Sequence, residues 1–371
     1  MALAPVQVGP LRIDRPLALA PMAGVTNWPF RLLCKEQGCG VVVTEFVNDR
    51  AILSGNPRTR EMIRLLPEER PAGVQIFGYD PETMARAAAA VVEQEQPDFI
   101  DINMGCPAPK ITRGRGGSSL LREPEVAEAI VRAVVRAVAP LPVTVKMRIG
   151  WDSKSIVAVD FARRLEEAGA SLITVHGRTR EQQYSGQADW GVIAAVARAV
   201  SIPVIGNGDI DSPQVARQRL EESGVAGLAI GRGALGNPWI FRRVLHYLET
   251  GEILPDASPE ERVATAIRHM DMLIELKGEY LAVREMRKHA SWYLRGLPGA
   301  AVTRTLINGA ESRSEMEAIL LGFLERLRQG AFAQEADAPA AQDPDAPGDQ
   351  APEGPVDPGE MTCAPADAAA E

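Results

Sequence analysis

A chain of 371 residues with a formal net charge of −9 is long enough for one large domain and a smaller one. Its four cysteines, Cys34, Cys39, Cys106 and Cys363, show no Cys-x-x-Cys or Cys/His ligand spacing, which argues against a disulfide framework or a metal site and fits a reducing, cytoplasmic setting. The first residues lack a cationic start followed by a long apolar core, and no apolar run approaches a bilayer's width, so neither a secretory signal nor a membrane span is expected.

The charge is unevenly spread. Residues 333–371 hold ten acids and no Lys or Arg, which leaves 40 basic and 39 acidic side chains for the rest. That body is near neutral and can still carry a basic face. The stretch 331–371, rich in Ala, Pro, Asp and Gly, reads as a disordered, solvating tail.

In chain order, short apolar runs at Leu17–Ala20, Val41–Thr44, Gly73–Phe77, Phe99–Asn103, Pro142–Met147, Leu172–His176, Pro203–Gly206 and Gly227–Ile230 read as strands. They lack strict alternation, as strands covered on both faces should. Helical stretches separate them, among them Pro81–Glu95, Glu123–Val138, Ser155–Ala168, Trp190–Ala199 and Ser212–Ser223. Eight such units predict an α/β fold, a (β/α)8 or TIM barrel. A doubly wound sheet is the alternative, but no Gly-x-Gly-x-x-Gly follows the first strand. From about Pro238 to Gln329 the pattern turns all-helical. Ser258-Pro259-Glu260-Glu261 and Ser312-Arg313-Ser314-Glu315 read as capping boxes. The apolar stripes Val263, Ile267, Met270, Ile274 and Ile319, Leu320, Phe323, Leu327 follow them at helical spacing.

In such a barrel the chemistry sits at the C-terminal ends of the strands. Those ends carry Pro21-Met22-Ala23-Gly24, Glu45, Gln75, Asn103 with Cys106, Lys146, His176 with Arg178, Asn207-Gly208-Asp209 and Gly231-Arg232-Gly233. The last two are Gly-rich turns whose backbone N–H groups can cradle a phosphate. Lys146 ends a buried strand and should face an anion or a polarised oxygen, or else sit in a structural ion pair. Gln75 can pair with a planar heterocycle or with loop backbone. His176 can donate to a carbonyl or be a satisfied core histidine. Cys34 and Cys39 read as small buried hydrophobes.

Taken together, Pro21-Met22-Ala23-Gly24-Val25-Thr26, Asn103-Met104-Gly105-Cys106-Pro107, Val145-Lys146-Met147-Arg148, His176-Gly177-Arg178-Thr179, Gly206-Asn207-Gly208-Asp209-Ile210 and Ile230-Gly231-Arg232-Gly233 resemble the tRNA-dihydrouridine synthases over residues 8–328. Arg287-Lys288-His289 and Trp292-Tyr293 are similar to the bacterial B-type branch. The resemblance implies a tightly bound FMN, recharged by NADPH or NADH, and reduction of the C5–C6 bond of uridines in the tRNA D-loop. It implies that Pro21, Met22 and Ala23 line the flavin and that Gln75 and Lys146 hold its ring. Asn207, Gly208, Asp209, Gly231 and Arg232 would hold its phosphate end, with His176 near the flavin and Arg178 near the inserted nucleotide.

Cys106 matches the family's catalytic cysteine, placed on a mobile loop as the acid that protonates C5, with Asn103 orienting the uracil. The implied organisation is an FMN-binding barrel over residues 1–237, a helical tRNA-binding domain over 238–330 and the tail, acting as a monomer without metal. Arg284, Lys288 and Arg295, at i, i+4 and i+11, predict one basic helix face for tRNA. Arg287 and His289 flank that face, and Arg113 and Arg115 lie on the Cys loop. An FMN barrel oxidoreductase acting on a free small molecule, such as a pyrimidine, is the alternative, but it leaves the helical region unexplained.

Overall fold

The computed structural model describes residues 3–332; of the expected tail, residues 333–371 lie outside the described residues. An antiparallel hairpin, β1 (Val6–Val8) and β2 (Leu11–Ile13), comes first. Then follow β3 (Leu17–Leu19), α1 (Trp28–Glu36), β4 (Val42–Val43), β5 (Val47–Asn48), α2 (Asp49–Leu53), α3 (Pro57–Ile63), β6 (Ala72–Phe77), α4 (Pro81–Glu95), β7 (Phe99–Met104), α5 (Pro109–Arg113) and α6 (Pro124–Val138). The alternation continues with β8 (Val143–Arg148), α7 (Ala158–Glu167), β9 (Leu172–His176), α8 (Trp190–Ala199), β10 (Val204–Asn207), α9 (Pro213–Ser223), β11 (Gly227–Ile230) and α10 (Ile240–Thr250). The strands run in parallel in the order β3-β11-β10-β9-β8-β7-β6-β4, with β5 also on β6. A parallel bridge between Ala18 and Val41 closes the ring. The predicted (β/α)8 barrel is therefore the fold. Its second strand position is split into β4 and β5 around Thr44, whose hydroxyl donates to the Glu45 carbonyl (2.9 Å).

Strand register explains why the runs looked unpatterned. Alternate residues face opposite sides of each strand, and here both sides are buried. The outward set, including Val74, Ile76, Ile100, Ile102, Val145 and Met147, packs under the helices. The inward set is apolar at the base, where Phe99, Leu172, Ile205 and Ala229 meet Val8 and Ile13 of the hairpin. A Cβ on Gly73 would collide with the Phe99 ring, so the bare glycine lets that ring plug the base. Toward the strand ends the inward set turns polar, with Gln75, Asp101, Asn103, Thr144 and His176 buried. Fixed helix starts keep the loops short. Asp80 and Ser212 cap α4 and α9 through their side chains, each followed by Pro, as good N-caps are.

Four further helices, α11 (Pro259–Lys277), α12 (Glu279–Tyr293), α13 (Ala300–Gly309) and α14 (Arg313–Arg328), form a bundle. Ser258 and Ser312 accept from the Glu261 and Glu315 N–H groups (3.1 and 3.3 Å), so both serines cap their helices, while the reciprocal half of each expected box is replaced: Glu261 accepts from Arg242 and Glu315 from the Glu311 N–H. The buried line of α11 is Val263, Ala266, Met270 and Leu273, with Ile267 and Ile274 only partly covered. Phe332 stacks on Phe323, so packing continues past residue 330. The bundle docks on the barrel through α1. Phe30 stacks on His269 (5.8 Å between centroids), Arg268 pairs with Glu36, and Asn27 donates to Glu285 (2.9 Å).

Candidate active site

Cys106 sits at the barrel mouth, just past the end of β7, partly exposed and free. Its backbone is pinned on both sides. Asn103 Oδ1 accepts from the N–H groups of Gly105 (3.1 Å) and Cys106 (2.9 Å). The Cys106 carbonyl accepts from the Ser118 N–H (3.1 Å) and hydroxyl (2.9 Å). Gly117 has φ +59°, and a Cβ there would press on the Cys106 carbonyl at 2.9 Å. The expected mobile loop is thus a braced one. Asn103, expected to orient the uracil, spends its carbonyl oxygen on this loop and donates its amide to Gln75 (2.8 Å). Burial pushes the Cys106 thiol up, against the Ala108 N–H, Arg148 and Lys146. The thiol therefore keeps its proton at neutral pH.

Below it lies a buried polar chain. Gln75 donates to Asp101 (2.5 Å), and Thr144 also donates to Asp101. Gln75, expected to hold a ring, has both ends of its amide engaged inside the barrel. Lys146 follows Thr144 on the same inward face. Burial, then the Arg148 charge, pushes it down to about 8, against Asp101 and Cys106. Among the described residues its ammonium donates no hydrogen bond. An unpartnered lysine at this depth is costly unless an outside acceptor meets it.

The two Gly-rich turns, after β10 and β11, lie at the same end of the barrel. Gly208 and Asp209 both have positive φ, 133° and 51°. Asn207 Nδ2 donates to the Ala229 carbonyl (2.7 Å) and ties the β10 turn to β11. The Asp209 carboxylate accepts from Arg178 (2.8 Å) and Arg232 (3.0 Å) and from the Ala188 N–H (2.8 Å). Burial raises its pKa, but Ala188 and the two arginines outweigh this, and the net shift is downward. The Asp209 carboxylate thereby holds both guanidinium groups beside the β10 turn. Arg178, expected beside an inserted nucleotide, is 2 % exposed and also donates to the Ser185 and Gly186 carbonyls. Its Nη1 is buried without a hydrogen-bond partner among the described residues. His176 lies against Gly208. Burial, with Arg148, Lys146, Arg178 and Arg232 around it, drives its pKa well down, so it is neutral. Pro21, Met22 and Ala23 form the wall next to the β11 turn, partly exposed, with Met22 Sδ beside Gly231.

The expected basic helix face does not form. Helix α12 ends at Tyr293, so Arg295 lies in the turn beyond it. Lys288 turns inward and donates to the Gly24 carbonyl (2.5 Å), while the Gly24 N–H donates to Glu45 (2.5 Å). Arg287 donates to the Ala310 carbonyl, and His289 is buried. Arg284 stays at the surface, its guanidinium over the Tyr280 ring at 3.6 Å. The tRNA set is therefore dispersed, and Lys288 belongs to the wall of the mouth.

Sequence reasoning gave Arg148 no role. It is 2 % exposed and donates to the carbonyls of Gly105 (2.8 Å), Thr179 (2.8 Å) and Gln183 (2.7 Å), lacing the Cys loop to the loop after β9. Burial pushes it down to about 10. Its signal was its place two residues after Lys146 on one strand face. Asp101, two before Asn103, carried the same signal.

Three comparisons place this architecture. The family model described as "Dihydrouridine synthase (Dus)" matches residues 18–331. The chain is 45% identical over 326 residues to "tRNA-dihydrouridine synthase B" of Pseudomonas aeruginosa, covering 88% of this chain and 98% of that one. It is 41% identical over 322 residues to the protein of that name from Vibrio cholerae, covering 87% and 99%. Among solved structures it resembles the old yellow enzyme from Trypanosoma cruzi, with TM-score 0.52, 13% identity and coverage of 70% of this chain and 95% of that one. That likeness speaks to the barrel alone. With the matched segment spanning both barrel and bundle, the chain belongs to the dihydrouridine synthase family of flavin-dependent oxidoreductases.

Proposed function

We propose that this chain reduces the C5–C6 double bond of D-loop uridines in tRNA, with FMN held in the barrel mouth and Cys106 supplying the proton to C5. The observation that carries the reading is a Cys106 loop braced by Asn103 and Ser118 beside a half-buried Lys146 that donates no hydrogen bond among the described residues. The residues present suit FMN. The Lys146 ammonium can meet a polarised ring oxygen, and Arg232 with the Gly231 backbone can take a phosphate. Arg178 Nη1, buried and without a hydrogen-bond partner among the described residues, can meet an acceptor on the bound group. Met22 and Ala23 give an apolar wall. When bound, FMN reduced by NADPH or NADH would supply the hydride to C6 of the uracil.

The protein's own part is proton control and positioning. Cys106 Sγ holds a proton because burial disfavours the thiolate, and it gives that proton to C5 as negative charge develops there. Asn103 and Ser118 fix the thiol's place by gripping its peptide. Lys146 stabilises negative charge on a ring beside it. The neutral His176 can donate one N–H without adding a cation. The uridine has to leave its stack to reach this depth.

The test is incubation of the purified protein with NADPH and an unmodified tRNA transcript, followed by mass analysis of the nucleosides. The expected product is a uridine that has gained two hydrogens, formed far more slowly by Cys106→Ala. Absence of that product from flavin-loaded wild type would refute the reading.

A further inference from the structure

Across the mouth from the bundle lies a cluster that the chemistry above leaves unused. Trp151 stands in the loop after β8. The guanidiniums of Arg122 and Arg180 both lie over its indole, 5.1 and 4.7 Å from the ring centroid. Arg122 ends the 3₁₀ segment that follows the Cys106 loop, and Arg180 lies in the loop after β9. The Arg180 N–H donates to the Gly150 carbonyl and the Glu181 N–H to the Trp151 carbonyl, both at 2.9 Å. Three mouth loops thus hold one ring and two cations in a fixed arrangement.

These cations have no ion-pair partner among the described residues; Glu123, next to Arg122 in the chain and paired with Arg115, acts on Arg122 only through its nearby charge. Other arginines near the mouth have acids: Arg115 has Glu123, and Arg178 and Arg232 share Asp209. Arg180 Nε is buried with no hydrogen-bond partner among the described residues. Two like charges gathered on one indole repel each other until a counter-charge arrives. Lys110 and Arg113, exposed on α5 just past Cys106, have no ion pair either among the described residues.

We propose that Arg122, Trp151 and Arg180 form an anchor for the phosphodiester backbone of the RNA strand that carries the reacting uridine. The proposal rests on the tRNA reading above. Guanidinium forks match phosphate oxygens in pairs, and the indole face holds the forks in place. Lys110, Arg113, Arg122 and Arg180, without ion pairs among the described residues, suit a polyanion crossing the mouth, where a single nucleotide phosphate would need one of them. Anchoring the backbone beside the Cys loop holds the extruded nucleotide in the mouth while the rest of the strand stays outside.

Arg122→Gln, Arg180→Gln and the double variant test this in the full-length, flavin-loaded protein, with an unmodified tRNA transcript bound over a salt series. The double variant is expected to bind ~10-fold or more weakly near physiological salt, and the slope of log Kd against log salt should fall by about 0.7 for each phosphate no longer neutralised. Flavin content and bleaching by NADPH should stay at wild-type level, and Arg122→Lys should keep the slope. Arg122 is exposed, so its single variant reads the charge even if Arg180→Gln misfolds. Unchanged tRNA binding and slope in Arg122→Gln overturn the proposal. So does a raised KM for NADPH with unchanged tRNA binding, which would give the anchor to the reductant. A wild type that binds and reduces no tRNA brings down the functional reading as well. A wild type that does both, with variants that match it, brings down the anchor alone.

Discussion

At the scale of single residues, burial sets the protonation that the chemistry needs. Cys106 is held protonated, so activity should persist through neutral pH and decline only above the ordinary thiol range. A pH–rate profile checks this, and a rate already falling below neutrality would contradict it. Cys106→Ala should lose ~10²–10⁴-fold in rate with flavin content unchanged. Lys146 runs the other way. Its pKa drops to about 8 on folding, from 10.5, so below pH 8 the flavin-free fold bears the full cost of a buried ammonium. That cost disappears as pH rises through 8 toward 10.5. Lys146→Met should therefore raise the melting temperature of the flavin-free protein at pH 7, less so near pH 10, while weakening FMN binding. Melting curves of both proteins at the two pH values decide it; a variant less stable at pH 7 would show that an unseen partner already satisfies the lysine.

At the scale of elements, periodicity revealed which residues share a face but not what the face meets. The strands read correctly as strands because both sides of each are buried apolar surface near the base. Their inward polar residues were legible near the C-terminal end, as with Lys146 and Asn103. Residues whose partners come from other loops were not legible, as Arg148 shows by reaching Gly105, Thr179 and Gln183. On α12 the spacing of Arg284 and Lys288 was right, yet Lys288 bonds to the barrel at Gly24. Arg295 fell off the helix where Gly296 takes φ +78°, a stop signal present in the sequence. The two α12 cations should therefore separate in experiment. Arg284→Glu should weaken tRNA binding and lower its salt slope by about 0.7 if it neutralises one phosphate. Lys288→Met should leave that slope alone, cost about 1–3 kcal/mol of stability and shift the flavin's visible spectrum through the Gly24 wall. A lowered slope in Lys288→Met, with an unchanged spectrum, would return Lys288 to the RNA surface.

At the scale of the whole molecule, barrel and bundle act as one because their seam passes through the active-site wall. Gly236, with φ +64°, lies so close to α12 that a Cβ would run into the Trp292 peptide. Gly236→Ala should cost about 2–4 kcal/mol, and thermal unfolding would show it as a midpoint lower by roughly 5–10 °C; an unchanged midpoint would mean that the seam yields easily. The succession of barrel and bundle was legible from alternating runs and capping boxes, but not the boundary expected at 237/238, because α10 packs into the barrel core through Ile240, Phe241 and Val244; the docking of α11 and α12 on α1 rests on long-range contacts such as Phe30 with His269, which no local pattern encodes. The proposed function stands or falls on whether electrons pass from reduced flavin in this mouth to a tRNA uridine. The visible spectrum of the purified protein under anaerobic conditions, first with NADPH and then with unmodified tRNA, reads that transfer. Flavin bands should bleach with NADPH and return on addition of tRNA, quickly for wild type and slowly for Cys106→Ala. Flavin that bleaches but stays reduced with tRNA present, or a protein that cannot be loaded with FMN, would contradict it.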